Sequence, residues 1–147
     1  MTKCFADTNV LVYRKDLTEP SKQKKAQDWI SAAIEKDALI LSAQSLREYY
    51  WAALRHDRSP SAAAELRREI AALNAYVPEM LRVDYLAEAW TLQDRYHLSF
   101  WDSLLLASAL VAGCTLFLSE DMNGGQTVGG LTIINPFTTA PKAVLGQ

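Results

Sequence analysis

The chain has 147 residues, of which 50% are hydrophobic, 22% charged and 10% aromatic. At about 150 residues per domain this is one domain with a sizeable core, and the composition excludes an intrinsically disordered chain. Fifteen basic and 17 acidic residues give a formal net charge of −2, so no overall positive field indicates nucleic-acid binding. A small basic patch beside an acidic site would leave no trace in that sum.

The start of the chain and the cysteines limit the possible location and metal chemistry. No run of about 18 apolar residues is present to span a membrane, and Asp7 comes too early to leave room for a signal peptide. We therefore expect a cytoplasmic protein with no membrane partner. Cys4 and Cys114 lie in apolar runs without a nearby histidine, which predicts buried thiols and excludes a zinc site or a disulfide framework.

Short aliphatic runs alternate with longer amphipathic segments along the chain. The short runs predict strands at residues 3–6, 38–41, 115–118 and 131–134, with a weaker one around 76–81. Helical spacing predicts helices at residues 21–36, 44–56, 61–75, 84–96 and 101–112. Pro60 is placed to open the third helix and Gly113 to close the last.

The strands are continuously apolar, which is typical of a parallel sheet covered on both faces. Residues 124–130 hold four of the six glycines and predict a polar loop between the last two strands. The predicted fold class is therefore α/β.

Four carboxylates follow strands or begin helices. Asp7 ends the first predicted strand, Asp121 follows the strand predicted at residues 115–118, and Glu48 and Asp102 lie near the starts of two helices. In a parallel sheet the helix N-termini lie at the carboxyl edge of the strands, so all four acids should converge on the edge where α/β folds bind ligands.

Each acid also has an ordinary structural explanation. Ser45 with Glu48, and Ser99 with Asp102, have the spacing of a capping box; Asp7 could cap a helix, and Asp121 could be a turn residue. Four like charges at one edge are costly unless a cation neutralises them. The oxygen ligands favour Mg²⁺ or Mn²⁺, and the implied chemistry is metal-assisted hydrolysis with one ion or two.

These segments together carry a family resemblance that extends over almost the whole chain. FADTNVLVY, the Glu48 of LREYY, LSFWDSLLLASA and TLFLSEDMNGG resemble the PIN-domain ribonucleases, particularly the VapC-type toxins of toxin–antitoxin pairs. The resemblance implies a three-layer α/β/α sandwich with a mostly parallel, five-stranded sheet, formed by residues 1–147 as a single domain. It also implies an endoribonuclease that uses Mg²⁺ or Mn²⁺, acts on RNA, forms a homodimer and is inhibited by a cognate antitoxin.

The resemblance assigns metal-binding and catalytic roles to particular residues of this chain. These are Asp7, Glu48, Asp102 and Asp121, with Thr8 or Asn9 as hydrogen-bonding support. Glu120 adjoins Asp121 and competes with it for the fourth role.

Other functions remain as alternatives. An aspartate-dependent phosphatase of the haloacid-dehalogenase type would have a second Asp where this chain has Asn9. A phosphoacceptor receiver domain would have a Lys after its last strand, where this chain has Asn135 and Pro136. A metal-free ribonuclease would use His56 and His97 as base and acid.

Overall fold

A five-stranded sheet forms the centre of the computed structural model, which describes residues 2–146. Its strands are β1 (Cys4–Ala6), β2 (Leu39–Ile40), β3 (Leu116–Leu118), β4 (Thr127–Val128) and β5 (Leu131–Ile134). The spatial order is β2-β1-β3-β5-β4, and every neighbouring pair is parallel except β4 with β5. The predicted α/β class, with a mostly parallel sheet of five strands, is confirmed.

Seven helices surround the sheet in residues 2–146. They are α1 (Thr8–Tyr13), α2 (Pro20–Glu35), α3 (Ala43–Leu54), α4 (Pro60–Leu73), α5 (Leu86–Tyr96), α6 (Phe100–Val111) and α7 (Pro141–Leu145). The five predicted helices correspond to α2 to α6. Pro60 is the first residue of α4, with the Ser59 hydroxyl capping the helix, and Gly113, at φ +79°, follows the end of α6. Within the described residues, no helix is long and apolar enough to cross a membrane.

Two expectations about the chain between the elements are wrong. The segment around residues 76–81 is not a strand but lies across two 3₁₀ turns, Asn74–Tyr76 and Glu79–Arg82. Pro78 has no N–H to donate to a ladder, which explains the difference.

The glycine-rich stretch at 124–130 is not entirely loop, because Thr127 and Val128 pair with β5 through a two-residue turn at Gly129 and Gly130. Both glycines have positive φ, as a tight hairpin turn requires.

The apolar strands are explained by a core on each face of the sheet. Cys4 and Leu118 face the side covered by α1 to α4, whereas Phe5 and Phe117 face the side covered by α5 and α6. The rings of Phe5 and Phe117 stack with their centroids 5.3 Å apart. Burial of each such side chain stabilises the fold by about 1.5–3 kcal/mol.

One charged cluster connects helices on the side of the sheet that α1 to α4 cover. Glu69 of α4 forms ion pairs with Arg14 and Lys15, which follow α1, and accepts a 2.8 Å hydrogen bond from the hydroxyl of Tyr49 in α3. Tyr49 is itself fully buried. This cluster fixes α3 against α1 and α4, and α3 carries one of the candidate acids.

Candidate active site

The four predicted acids line one pocket at the carboxyl edge of the sheet. The pocket has a volume of about 300 Å³ and is lined by Asp7, Glu48, Asp102 and Asp121 together with seven other residues. Asp7 directly follows β1 and Asp121 lies beyond β3, while α3 and α6 bring Glu48 and Asp102 to the same edge. The parallel topology therefore places side chains from four distant parts of the sequence around one space.

Asp7 is the most buried of the four acids, with 8% of its surface exposed. Its Oδ1 accepts a 2.7 Å hydrogen bond from the backbone N–H of Thr8, so it caps α1, and its Oδ2 accepts a 3.1 Å bond from the hydroxyl of Ser119. Burial raises the pKa of Asp7 from 3.8 to about 6, the negative charges of Asp102 and Glu48 add to the increase, and the two hydrogen bonds oppose it. Asp7 is thus a helix cap and also a carboxylate that forms no ion pair with any of the residues 2–146.

Glu48 does not have the capping role that its spacing from Ser45 predicts. The N-cap of α3 is Ser42, whose hydroxyl accepts from the Ser45 N–H, and the Ser45 hydroxyl in turn accepts from the Ser42 N–H. The N-cap lies three residues before the predicted one at Ser45, so Ser45 takes the third helical position that Glu48 was expected to occupy. Glu48 instead accepts a 2.7 Å bond from the Thr8 hydroxyl and a 2.8 Å bond from the Gln44 amide.

Asp102 lies in the first turn of α6, where its carboxylate is half-buried. The predicted N-cap at Ser99 is present, because the Ser99 hydroxyl accepts a 3.1 Å bond from the Asp102 N–H. That bond uses the backbone of Asp102 and leaves its side chain available to the pocket. A negative charge in this position is also favoured by the helix dipole.

The two neighbouring acids after β3 have different surroundings. Asp121 lines the pocket and accepts a 2.6 Å bond from the Asn9 side-chain amide. Glu120 forms an ion pair with Lys22 of α2 and is not among the residues that line the pocket. Of the two, only Asp121 lines the pocket together with the other three acids.

Sequence reasoning did not assign several residues to this site. Ser119 and Gln44 hold Asp7 and Glu48, and Trp51, Arg55 and Trp101 line the pocket. Ser119 directly follows β3, so the argument that found Asp121 could have found it. The remaining four lie on α3, directly after it or on α6, where exposure and direction are decided by packing that the sequence pattern does not specify.

The two histidines lie elsewhere. His56 lines a separate groove between α1, α3 and α4, and His97 ends α5 with a left-handed backbone at φ +56°. Neither lines the pocket of the four acids. Their positions offer no support for a mechanism with a histidine base and a histidine acid.

The chemistry of the pocket fits a hard divalent cation. All four acidic side chains offer oxygen, and none of them forms an ion pair with a Lys or Arg in residues 2–146. Within that same range, no three His, Cys, Asp or Glu side chains form a ready-made cluster that could hold a metal. Mg²⁺ does not need such a cage, because it is bound by one or two carboxylates and retains several waters.

A comparison with protein families gives an independent identification. The model of the PIN domain matches residues 4–123, which run from β1 to beyond β3 and include all four acids. No curated protein matches the chain significantly. PIN domains are typically nucleases that act on nucleic acid and generally use divalent metal ions, so the match favours neither a phosphatase nor a receiver domain. The chain belongs to the PIN-domain family.

Proposed function

We propose that the protein is a metal-dependent endoribonuclease and the toxin of a toxin–antitoxin pair, that it acts in the cytoplasm, and that residues 1–147 are one catalytic domain. The observation that carries the proposal is the shared pocket of Asp7, Glu48, Asp102 and Asp121. The raised pKa of Asp7 supports it, because a buried, unpaired carboxylate is typical of a functional site. The toxin assignment is supported by the VapC-like segments of the sequence.

The four acids would hold Mg²⁺ or Mn²⁺, directly or through retained waters. When bound, such a cation supplies an activated water nucleophile and offsets the charge that develops on the phosphodiester. The neighbouring residues position the acids: Thr8 and Ser119 hold Asp7, while the Thr8 hydroxyl also holds Glu48. Asn9 holds Asp121 in the same way.

An RNA cleavage assay tests the enzymatic part of the proposal. We expect Mg²⁺ and Mn²⁺ to support cleavage, Ca²⁺ to support little because of its looser geometry, and chelation to abolish it. Asp7→Asn and Asp102→Asn should abolish turnover with the fold retained. Full activity after exhaustive chelation would overturn the metal mechanism, and cleavage of DNA but not RNA would overturn the ribonuclease assignment.

The fourth acid is tested by a matched pair of variants. Asp121→Asn should abolish cleavage, whereas Glu120→Gln should not, because Glu120 is held by Lys22 outside the pocket. The opposite result would assign the role to Glu120.

Growth measurements test the toxin assignment. Induced expression of the wild-type chain in bacteria should arrest growth, while equal expression of Asp7→Asn should not. A short reading frame beside the gene should encode a protein that relieves the arrest. Normal growth at an expression level that gives measurable ribonuclease activity would contradict the toxin role.

A groove between α1, α3 and α4 suggests how an antitoxin could bind. The groove has a volume of about 560 Å³ and includes apolar side chains from α1, α3 and α4, namely Val12, Ala53 and Leu66. We expect apolar residues of the antitoxin to lie along α3 and α4, and one Arg or Lys to bridge the carboxylates through charge-assisted hydrogen bonds. Excess Mg²⁺ should then weaken antitoxin binding, and an affinity that does not change with Mg²⁺ would place the inhibitor elsewhere.

A further inference from the structure

The pocket of the four acids adjoins a second groove of opposite charge. This arginine groove, between α3 and α4, has a volume of about 290 Å³ and is lined by Tyr50, Trp51, Leu54, Arg55, Arg58, Ala63 and Arg67. Trp51 and Arg55 line both spaces. A ligand that lies in one can therefore continue into the other without leaving the protein surface.

The direction of α3 explains this continuity. Glu48, Trp51 and Arg55 are separated by three and then four residues, so they share one face of the helix. At 1.5 Å per residue, the stripe extends about 10 Å from the candidate metal ligand to the arginine. The same helix face thus begins with a carboxylate in the pocket and ends with a cation in the groove.

The arginine groove has an unbalanced positive charge. Its lining includes three arginines and no acidic residue. Across the part of the chain that the structure describes, none of these arginines forms an ion pair with a carboxylate. The protein as a whole has a net charge of −2, so this positive charge is local. Guanidinium groups that form no ion pair within the protein are suited to binding phosphates.

Aromatic rings alternate with these cations. The guanidinium of Arg55 lies 5.9 Å from the centre of the Trp51 ring, and that of Arg67 lies 5.9 Å from the centre of the Tyr50 ring. Arg67 also donates a 3.0 Å hydrogen bond from Nε to the Tyr50 hydroxyl, which orients both side chains. Trp51 is 63% exposed, although a tryptophan in this fold can be fully buried, as Trp29 is.

We propose that the arginine groove binds the single-stranded RNA that flanks the scissile phosphodiester, with a base stacked on Trp51 and phosphates contacted by Arg55, Arg58 and Arg67. Cationic grooves with exposed aromatic rings bind single strands, because unpaired bases can stack on the rings. A duplex hides the faces of its bases and should bind less well. The assignment rests on the proposed function for the position of cleavage, but the binding itself requires no cleavage.

Binding in chelator separates the two proposals. Fluorescence anisotropy of a labelled single-stranded RNA should give an affinity that falls roughly tenfold in Trp51→Ala and is largely restored in Trp51→Phe. Arg67→Gln should weaken binding. It should also reduce the slope of log affinity against log salt concentration by about one, as expected when one phosphate contact is lost. Because Trp51 is exposed, its replacement should leave the core intact.

Two exposed residues outside the groove provide matched controls. Trp90→Ala on α5 and Arg68→Gln on α4 should leave RNA affinity unchanged. Equal losses in the controls, unchanged affinity in Trp51→Ala, or equal binding of the RNA in duplex form would overturn the inference. If Trp51→Ala has a smaller mass by light scattering than the wild type but binds RNA equally well, the Trp51 ring contacts a second copy of the protein instead of RNA. Binding in chelator that depends on the groove, with no RNA cleavage once Mg²⁺ is added, would contradict the proposed function alone.

Discussion

The substitution Asp7→Asn should make the protein more stable in the absence of metal while abolishing its activity. Burial raises the pKa of Asp7 from 3.8 to about 6. At 1.36 kcal/mol per unit, the charged carboxylate lowers the free energy of unfolding by about 3 kcal/mol above that pKa. Asparagine removes the charge and retains an oxygen for the Thr8 N–H, but it has an NH2 group in place of the second oxygen and so loses the acceptor for the Ser119 hydroxyl, at a cost of about 1 kcal/mol. The expected net gain is about 2 kcal/mol.

The sign of this effect depends on pH in a defined way. Because the pKa of Asp7 is higher in the folded state, the native protein binds more protons than the unfolded chain between about pH 4 and pH 6. The contribution of Asp7 to the free energy of unfolding therefore falls as the pH rises through that window. The advantage of Asp7→Asn should be complete at pH 7.5 and nearly absent below pH 4.

Thermal and urea unfolding in chelator would measure this difference. A gain of about 2 kcal/mol corresponds to a midpoint roughly 4–8 °C higher for a domain of this size. The exposed Asp94→Asn on α5 is the control and should change the midpoint little. Added Mg²⁺ should stabilise the wild type and narrow the gap, because only the wild type retains the full set of ligands. A lower midpoint for Asp7→Asn at pH 7.5 would refute the reasoning and leave helix capping as the main role of Asp7.

Three further outcomes are expected. His56→Gln and His97→Gln should each retain RNA cleavage under conditions where the wild type depends on Mg²⁺, since neither residue lines the pocket. A loss of activity by several orders of magnitude in either variant would favour acid–base catalysis by histidine. Glu69→Ala should lower the free energy of unfolding, measured in urea, by about 2–4 kcal/mol, because it leaves two cations and a tyrosine hydroxyl without their shared acceptor. The control Glu65→Ala, at an exposed position on α4, should lower it by less than about 0.5 kcal/mol. Light scattering at micromolar concentration should give twice the 16.4 kDa chain mass, because exposed aromatic side chains leave apolar surface for a second copy to cover. A monomer at every concentration would contradict the dimer.

The strands and long helices were predictable from the sequence because their burial is strong and periodic. Residues 131–134 are apolar and end at a turn, and the strand has these bounds in the structure. By contrast, α1 was not predicted, because TNVLVY is six residues long and rich in β-branched side chains, which disfavour an isolated helix. It forms because Asp7 caps it and because Val10 and Leu11 are buried.

The candidate acids were predictable for a topological reason. Their positions relative to strands and helices define which edge of the sheet they occupy, and that relation holds without knowledge of side-chain packing. The supporting hydrogen bonds were less accessible: Thr8 and Glu48 are 40 residues apart, and only the packing of α1 on α3 brings them to 2.7 Å. Exposure was the least predictable property, since Tyr49, Tyr50 and Trp51 are consecutive yet range from fully buried to largely exposed.

The two edge strands of the sheet limit how other proteins can bind to this one. The strands at both edges, β2 and β4, are only two residues long, and the chain beside β2 is engaged, since the Leu41 N–H donates to the Tyr76 carbonyl at 3.0 Å. Short edges offer few free backbone groups to an incoming strand. Partners must then be recognised by side chains on the helices rather than by backbone pairing, which is insensitive to sequence. Recognition through side chains depends on their identity and arrangement, so a partner that fits these helices would bind poorly to a protein of the same fold with different helix surfaces.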